Sequence, residues 1–175
     1  TTNVYLLDEG GRILDCLRRV GLDDSAKRQA LPGLYYQEPE PVGKRNPQGL
    51  TQAEALALLE APGADRLTDR LLDTFGGLSP LVCREAALAC LGDSDGRLEG
   101  ADKLDVARRL VAYLEAHLPL GRPYLLTEPD GTPKAYAFVP ICQYGPGFTC
   151  EEIPSFGALL DRFYTLRDRR DSMRQ

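Results

Sequence analysis

The run FGGLSPLVCREAALACLG, Phe75 to Gly92, limits how this chain folds more than any other stretch. Two glycines let the backbone turn tightly. Ser79 is placed to cap a helix, and Pro80 falls at its first position, where a missing N–H costs nothing. The helix is predicted to run to about Cys90, with Gly92 ending it. Cys83 and Cys90 lie seven residues apart, on one face with Ala86 and Ala87. That face is built of small apolar side chains, with only two charges near its start. The turn therefore joins this helix to the segment before it, ADRLTDRLLDTF. There Leu67, Leu71 and Leu72 make an apolar stripe, and Asp65, Asp69 and Asp73 an acidic one.

Further helices surround this pair. In TQAEALALLE, Thr51 caps the start and Glu54 stands at the third helical position, a capping box. In ADKLDVARRLVAYLEAHLPL, the predicted buried side is Leu104, Val106, Leu110, Val111 and Leu114. Strand patterns flank the helices. NVYLL and RILDCLRRV form a hairpin about DEGG, with Val4, Leu6, Ile13 and Leu17 expected inward. RPYLLTEPDGTPKAYAFVPICQY forms a second hairpin around Glu128-Pro129-Asp130-Gly131, followed by a YGPGF loop. The segment from Arg18 to Leu50 reads as a loop. Pro39 and Pro41 alternate there with Glu38 and Glu40, an extended arrangement. The chain closes on IPSFGALLDRFYTLRDRRDSMRQ, a helix capped by Ser155 with Phe156, Leu159, Leu160, Phe163 and Leu166 on its apolar face. Beyond Leu166 it turns almost wholly polar, like the root of a projecting arm.

The fold class expected is therefore α+β: two β-hairpins flanking a helical insert, followed by an outgoing helix. The two hairpins are expected to share one sheet.

Composition narrows the function. The chain has 175 residues, 43% of them hydrophobic, and a net charge of −5. That balance argues against a cationic nucleic-acid binder that uses its whole surface, since phosphate neutralisation needs clustered Lys and Arg. Local basic clusters occur at Arg18-Arg19, Lys27-Arg28, Lys44-Arg45 and Arg167/Arg169/Arg170/Arg174. The last group alternates with Asp168 and Asp171, as on a solvated helix. No stretch approaches the roughly 18 apolar residues that would span a bilayer. Cys16, Cys83, Cys90, Cys142 and Cys150 are odd in number and form no C-x-x-C pair. Reduced cysteines suit a cytosolic protein. The chain opens directly on a strand and stops inside a helix, so an excerpt of a longer protein is expected.

No catalytic constellation is evident, and no catalytic, cofactor-binding or metal-binding residue is assigned. His117 is the only histidine, at the end of its helix, where the dipole favours such a residue. Asp93-Ser94-Asp95-Gly96 resembles the start of a calcium loop, but the required third ligand is missing and Glu99 falls too early. There is no G-x-x-x-x-G-K, G-x-G-x-x-G or G-x-S-x-G.

What remains is the hairpin Gly76-Gly77-Leu78-Ser79-Pro80. A helix-hairpin-helix binds nucleic acid when its turn and the next helix start present free backbone N–H groups to a phosphate. Such turns read hydrophobic-x-Gly-hydrophobic-Gly. Here Gly77-Leu78 fits, Ser79 replaces the second glycine, and Pro80 removes a donor. Asp69, Asp73 and Glu85 are nearby acids that would repel phosphate. A structural corner is the reading these residues favour, with a phosphate grip as its rival.

The strings NVYLLDEGGRILDCLRRV, LPGLYYQEPEP, GGLSPLVCREAA and IPSFGALLDRFYTLRDRRDSMRQ resemble, in that order, stretches of the NFACT proteins. These are the bacterial fibronectin-binding protein A and RqcH group, with the eukaryotic relative NEMF. The resemblance covers most of the chain, and the loop 93–103 matches no part of it. It implies a piece of a long cytosolic protein. Residues 1–48 would be the last strands and loop of an NFACT-N region, and 49–120 the helix-hairpin-helix domain. Residues 121–150 would return to the sheet, and 151–175 would start a coiled coil. It implies a ribosome-associated quality-control factor that binds the large ribosomal subunit and tRNA, and supports alanine tailing of stalled chains. Some members are known instead as fibronectin- or fibrinogen-binding adhesins, which implies surface display as the alternative. The NFACT-N fold is similar to formamidopyrimidine-DNA glycosylases but without their catalysis. A DNA-enzyme reading lacks a nucleophile here. The family's Asp-Arg tailing motif and its NFACT-R domain would lie outside this chain, so no catalytic residue is carried over. Only Gly76, Gly77, Leu78, Ser79 and Pro80 match the family hairpin position by position.

Overall fold

The computed structural model describes residues 3–21, 29–39 and 43–172. Lys27, Arg28, Glu40, Pro41 and Arg174 lie outside the described residues. The chain divides into two compact units, one within residues 1–43 and the other within 44–175.

In the first unit, β1 (Tyr5–Leu7) pairs antiparallel with β2 (Ile13–Cys16), with a register shift between Leu6 and Leu7. The Asp8 carboxylate closes the turn by accepting the N–H groups of Gly10 at 2.9 Å and Arg12 at 2.8 Å. The segment around Ala30–Tyr36 pairs along β2: Ile13 N donates to Leu34 O and Gly33 N to Ile13 O, both at 2.8 Å. Of the four side chains expected inward, only Ile13 is buried. Val4, Leu6 and Leu17 are exposed. Two strands make a narrow ribbon, and within this unit the 30–36 segment covers Ile13 but not those three side chains.

The second unit is led by four helices: α1 (Gln52–Glu60), α2 (Leu67–Thr74), α3 (Pro80–Leu91) and α4 (Lys103–His117). The expected starts and stops hold. Thr51 and Glu54 form a complete capping box, Ser79 caps α3 with Pro80 in its first turn, and Gly92 ends it at φ +75°. Asp102 adds a cap to α4, accepting from Leu104 N and Asp105 N. α1 packs on α4, and α3 packs on both α2 and α4. Leu59, Leu67, Leu71, Phe75, Cys83, Ala86, Ala87 and Leu110 are fully shielded in one core. The Ala and Cys face of α3 is what lets α2 and α4 close on it. Leu104 is exposed, contrary to expectation. It sits two residues before Val106, about 200° round the helix from the buried stripe.

After α4, β3 (Tyr124–Thr127), β4 (Pro133–Ala137) and β5 (Thr149–Glu152) make an antiparallel sheet in the order β4-β3-β5. The turn Glu128–Gly131 closes as expected, with Gly131 N on Glu128 O at 2.9 Å. The two hairpins do not share a sheet: among the described strands β1 and β2 make one sheet, and the second sheet's third strand is β5. β5 lies just beyond the YGPGF loop and carries no apolar alternation to announce it. α5 (Phe156–Ser172) starts where Ser155 Oγ accepts Ala158 N. It lies on the sheet through Leu159 and Phe163, which pack with Leu125 and Ile153. Phe156 and Leu160 are largely exposed, because a three-stranded sheet covers only a narrow stripe of the helix.

Candidate functional site

The hairpin between α2 and α3 is held from both sides. Phe75 ends α2 in extended backbone, its N–H on Leu71 O at 2.9 Å, and its ring is fully buried. A short parallel bridge brings in the preceding loop: Arg45 N donates to Thr74 O at 2.8 Å and Gly76 N to Arg45 O at 2.9 Å. This bridge places Lys44 and Arg45 beside the turn. Lys44 Nζ donates to Leu72 O, and Arg45 pairs with Glu54 at 3.0 Å. Gly77 turns the chain at φ +79°, a conformation in which a Cβ is strained. Leu78 then drops into the helical core. Ser79 Oγ accepts Val82 N at 3.3 Å, and Pro80 begins α3.

The backbone donors decide what the turn offers. The N–H of Gly76 is used within the fold. Those of Gly77, Leu78 and Ser79 have no partner among the described residues. They stand at the positive end of a twelve-residue helix with no acid in its first turn.

The three acids expected to repel phosphate behave differently from one another. Asp73 is exposed. Asp69 is paired with Arg66 at 3.7 Å. Glu85 is buried and turned into the fold, where Oε1 accepts Cys142 N at 2.9 Å, Gln143 N at 3.0 Å and Gln143 Nε2 at 2.8 Å. It clasps the loop after β4 to α3.

Its neighbour Arg84 works on the same loops. Arg84 Nε donates to Gln143 Oε1 at 2.7 Å, Nη1 to Asp95 Oδ1 at 2.8 Å and Nη2 to Ser94 Oγ at 3.0 Å. Arg66 also pairs with Asp95. Partial desolvation pushes the Asp95 carboxyl up, but the bonds and charges of Arg84 and Arg66 outweigh it, and its pKa falls below the ordinary value. The Asp93–Gly96 loop is thus committed to arginines. Among the described residues no cluster of His, Cys, Asp or Glu is placed to hold a metal ion. His117 ends α4 with its ring 4.6 Å from that of Tyr113, and desolvation lowers its pKa. No helix among the described residues is long and apolar enough to cross a membrane.

Three charged residues that tie the loops and helix ends of this unit together were missed or misread in the sequence: Arg84, Glu85 and Arg70. Arg70 is buried and donates to Ala64 O at 2.9 Å, Leu58 O at 3.0 Å and Ala61 O. It supplies α1 with the cation its C-terminal end lacks. The signal for Arg84 and Glu85 was their presence in an otherwise apolar run. Of the other basic clusters, Arg18 and Arg19 belong to the first unit, and Arg167, Arg169 and Arg170 to α5, which packs on β3 and β4.

Comparison with known proteins agrees with this architecture. The family model for NFACT N-terminal and middle domains matches residues 1–175. The N-terminal part of the fibronectin/fibrinogen-binding protein from Streptococcus suis superposes with a TM-score of 0.57 at 23% identity. That match covers 93% of this chain and 52% of the other. The fibrinogen-binding protein from Staphylococcus aureus gives a TM-score of 0.64 at 24% identity, over 93% of this chain and 55% of the other. The chain thus spans about half the length of either structure, and at these identities the likeness is one of fold. No curated protein sequence matches the chain.

Proposed function

Since the chain belongs to the NFACT family, we infer that it is an RNA-proximal structural module of a ribosome-associated quality-control factor. In this reading the full-length protein binds the large ribosomal subunit and tRNA in the cytoplasm, and supports C-terminal alanine tailing of stalled chains. The helical unit orients the parts on either side of it, with α5 as the root of a coiled-coil arm. It binds and positions, with no catalytic residue of its own. The observation that carries the reading is the row of N–H groups at Gly77, Leu78 and Ser79 that have no partner among the described residues, with Lys44 alongside. A phosphate seated there would satisfy donors that the fold leaves open. The burial of Leu78 supports the structural half of the role.

The test is co-sedimentation of the full-length protein with large subunits, bare or carrying peptidyl-tRNA, across a salt series. Salt-dependent binding that prefers the peptidyl-tRNA complex is expected. Replacing Gly76–Ser79 in a protein that still folds then separates RNA contact from orientation. A second reading rests on the two solved relatives, which are named for fibronectin and fibrinogen binding. Saturable fibronectin binding by a folded protein that ignores ribosomes would favour that adhesin role and surface display.

A further inference from the structure

Cys142 and Cys150 lie on either side of the turn that leads into β5, and both are exposed. Cys150 belongs to β5, opposite Leu126 of β3. Its Sγ accepts the N–H of Ile141 at 3.4 Å. Ile141 immediately precedes Cys142 in the chain, so the Cys150 sulfur lies against the backbone of the residue next to the second cysteine. We propose that Cys142 and Cys150 form a reversible redox pair, closing to a disulfide by exchange with a low-molecular-weight disulfide such as oxidised glutathione.

The other cysteines supply the contrast. Cys83 and Cys90 are fully packed in the helical core, and burial pushes both thiols up to about 12. Neither is open to a small disulfide. Cys16 is half-buried, with its thiol turned to Ala30 O at 3.3 Å. Cys142 feels its partner: burial first, then the charges of Glu85 and Cys150, raise its thiol pKa. That makes it a slow exchanger rather than a catalytic thiol.

The chemistry balances without a further reactant. One cysteine thiolate attacks the glutathione disulfide, whose S–S bond breaks to release one glutathione thiolate. The second cysteine thiolate attacks the protein sulfur of the mixed disulfide and releases the other. Two thiols lose two protons and two electrons, and one glutathione disulfide becomes two glutathione molecules. The consequence reaches α3, because the N–H of Cys142 is one that Glu85 holds. The disulfide would join β5 covalently to the loop clasped by α3. In a reducing cytosol the pair rests as the dithiol and responds to oxidation; at a cell surface it rests closed.

The test is incubation of the full chain with oxidised glutathione, alkylation and tryptic mass spectrometry. Both cysteines fall in one tryptic peptide, residues 135–162. The expected product is that peptide lighter by two hydrogens and resistant to alkylation, recovered by dithiothreitol. Oxidised wild type should also melt higher than reduced, with no such difference in C150S, which should carry a single glutathione on Cys142. Two separate glutathione adducts on the wild-type peptide, or no reaction in the folded chain, would overturn the proposal.

Discussion

Glu85 holds Gln143 twice, through its backbone N–H at 3.0 Å and its side-chain Nε2 at 2.8 Å, both on the same carboxylate oxygen. One buried acid on α3 thereby fixes the loop that follows β4. Glu85→Ala removes the acceptor and strands these donors together with Cys142 N. A loss of about 3 kcal/mol is expected from hydrogen bonds to a buried charge left unmade. Glu85→Gln keeps an acceptor oxygen and should lose less. Urea unfolding of the two variants beside wild type checks the order.

Gly77 has a positive φ of +79° and open space where a Cβ would stand. The cost of Gly77→Ala is therefore conformational and not steric, about 1 kcal/mol. Gly77→Asn should cost less, because Asn tolerates the left-handed region. Both variants should fold, so thermal melts give the order. Those variants then serve in ribosome sedimentation, where loss of binding at preserved stability would mark phosphate contact by the turn.

Gly63 faces the Arg70 guanidinium, and a Cβ at this position would stand only 3.1 Å from Cζ. Gly63→Ala should therefore push the fork away from the carbonyls it satisfies at the end of α1. Arg70→Lys keeps the charge but cannot reach several carbonyls at once. Both substitutions are expected to destabilise by about 2 kcal/mol, with fraying of α1 visible as faster amide exchange near Leu58 and Ala61.

The pH response should come from groups held below their ordinary pKa. His117 is the chain's one histidine, so its titration can be followed by NMR without ambiguity. Burial lowers its pKa. The unfolded chain then binds protons more readily than the folded one. Any stability from His117 is present above about pH 6.5, the ordinary histidine value, and is lost as pH falls through that window. Asp95 acts in the same sense lower down, because Arg84 and Arg66 depress its carboxyl. Its contribution holds above about pH 3.9 and disappears in stronger acid. Asp95→Asn should flatten the acid limb of the stability curve, and H117F the limb just below neutrality. Denaturant midpoints at a series of pH values measure both.

What could be read from the sequence was local. A cap is a bond between a side chain and a backbone N–H two or three residues on, so Thr51 with Glu54, Ser79 with Pro80, and Ser155 announced their helices without knowledge of the rest. Gly92 and the Glu128–Gly131 turn are equally short in range. The hairpin Gly76–Pro80 was legible for the same reason, and so was the small-residue face of α3.

Tertiary structure decided everything that depends on a distant partner. Thr149 pairs with Thr127 only after the chain has folded back, so β5 had no signal of its own. The sequence showed two hairpins but not that each belongs to a separate sheet. Val4, Leu6 and Leu17 obeyed an alternating pattern, yet on a two-stranded ribbon they stay exposed, with none of the described residues of their unit closing over them. Arg70 and Glu85 look like surface charges in a linear reading. They are buried because carbonyls of α1 and amides of the β4–β5 loop, more than 50 residues away for Glu85, converge on them in three dimensions. Periodicity tells which side of an element is apolar, but only the assembled neighbours determine whether that side, or a charge beside it, leaves water.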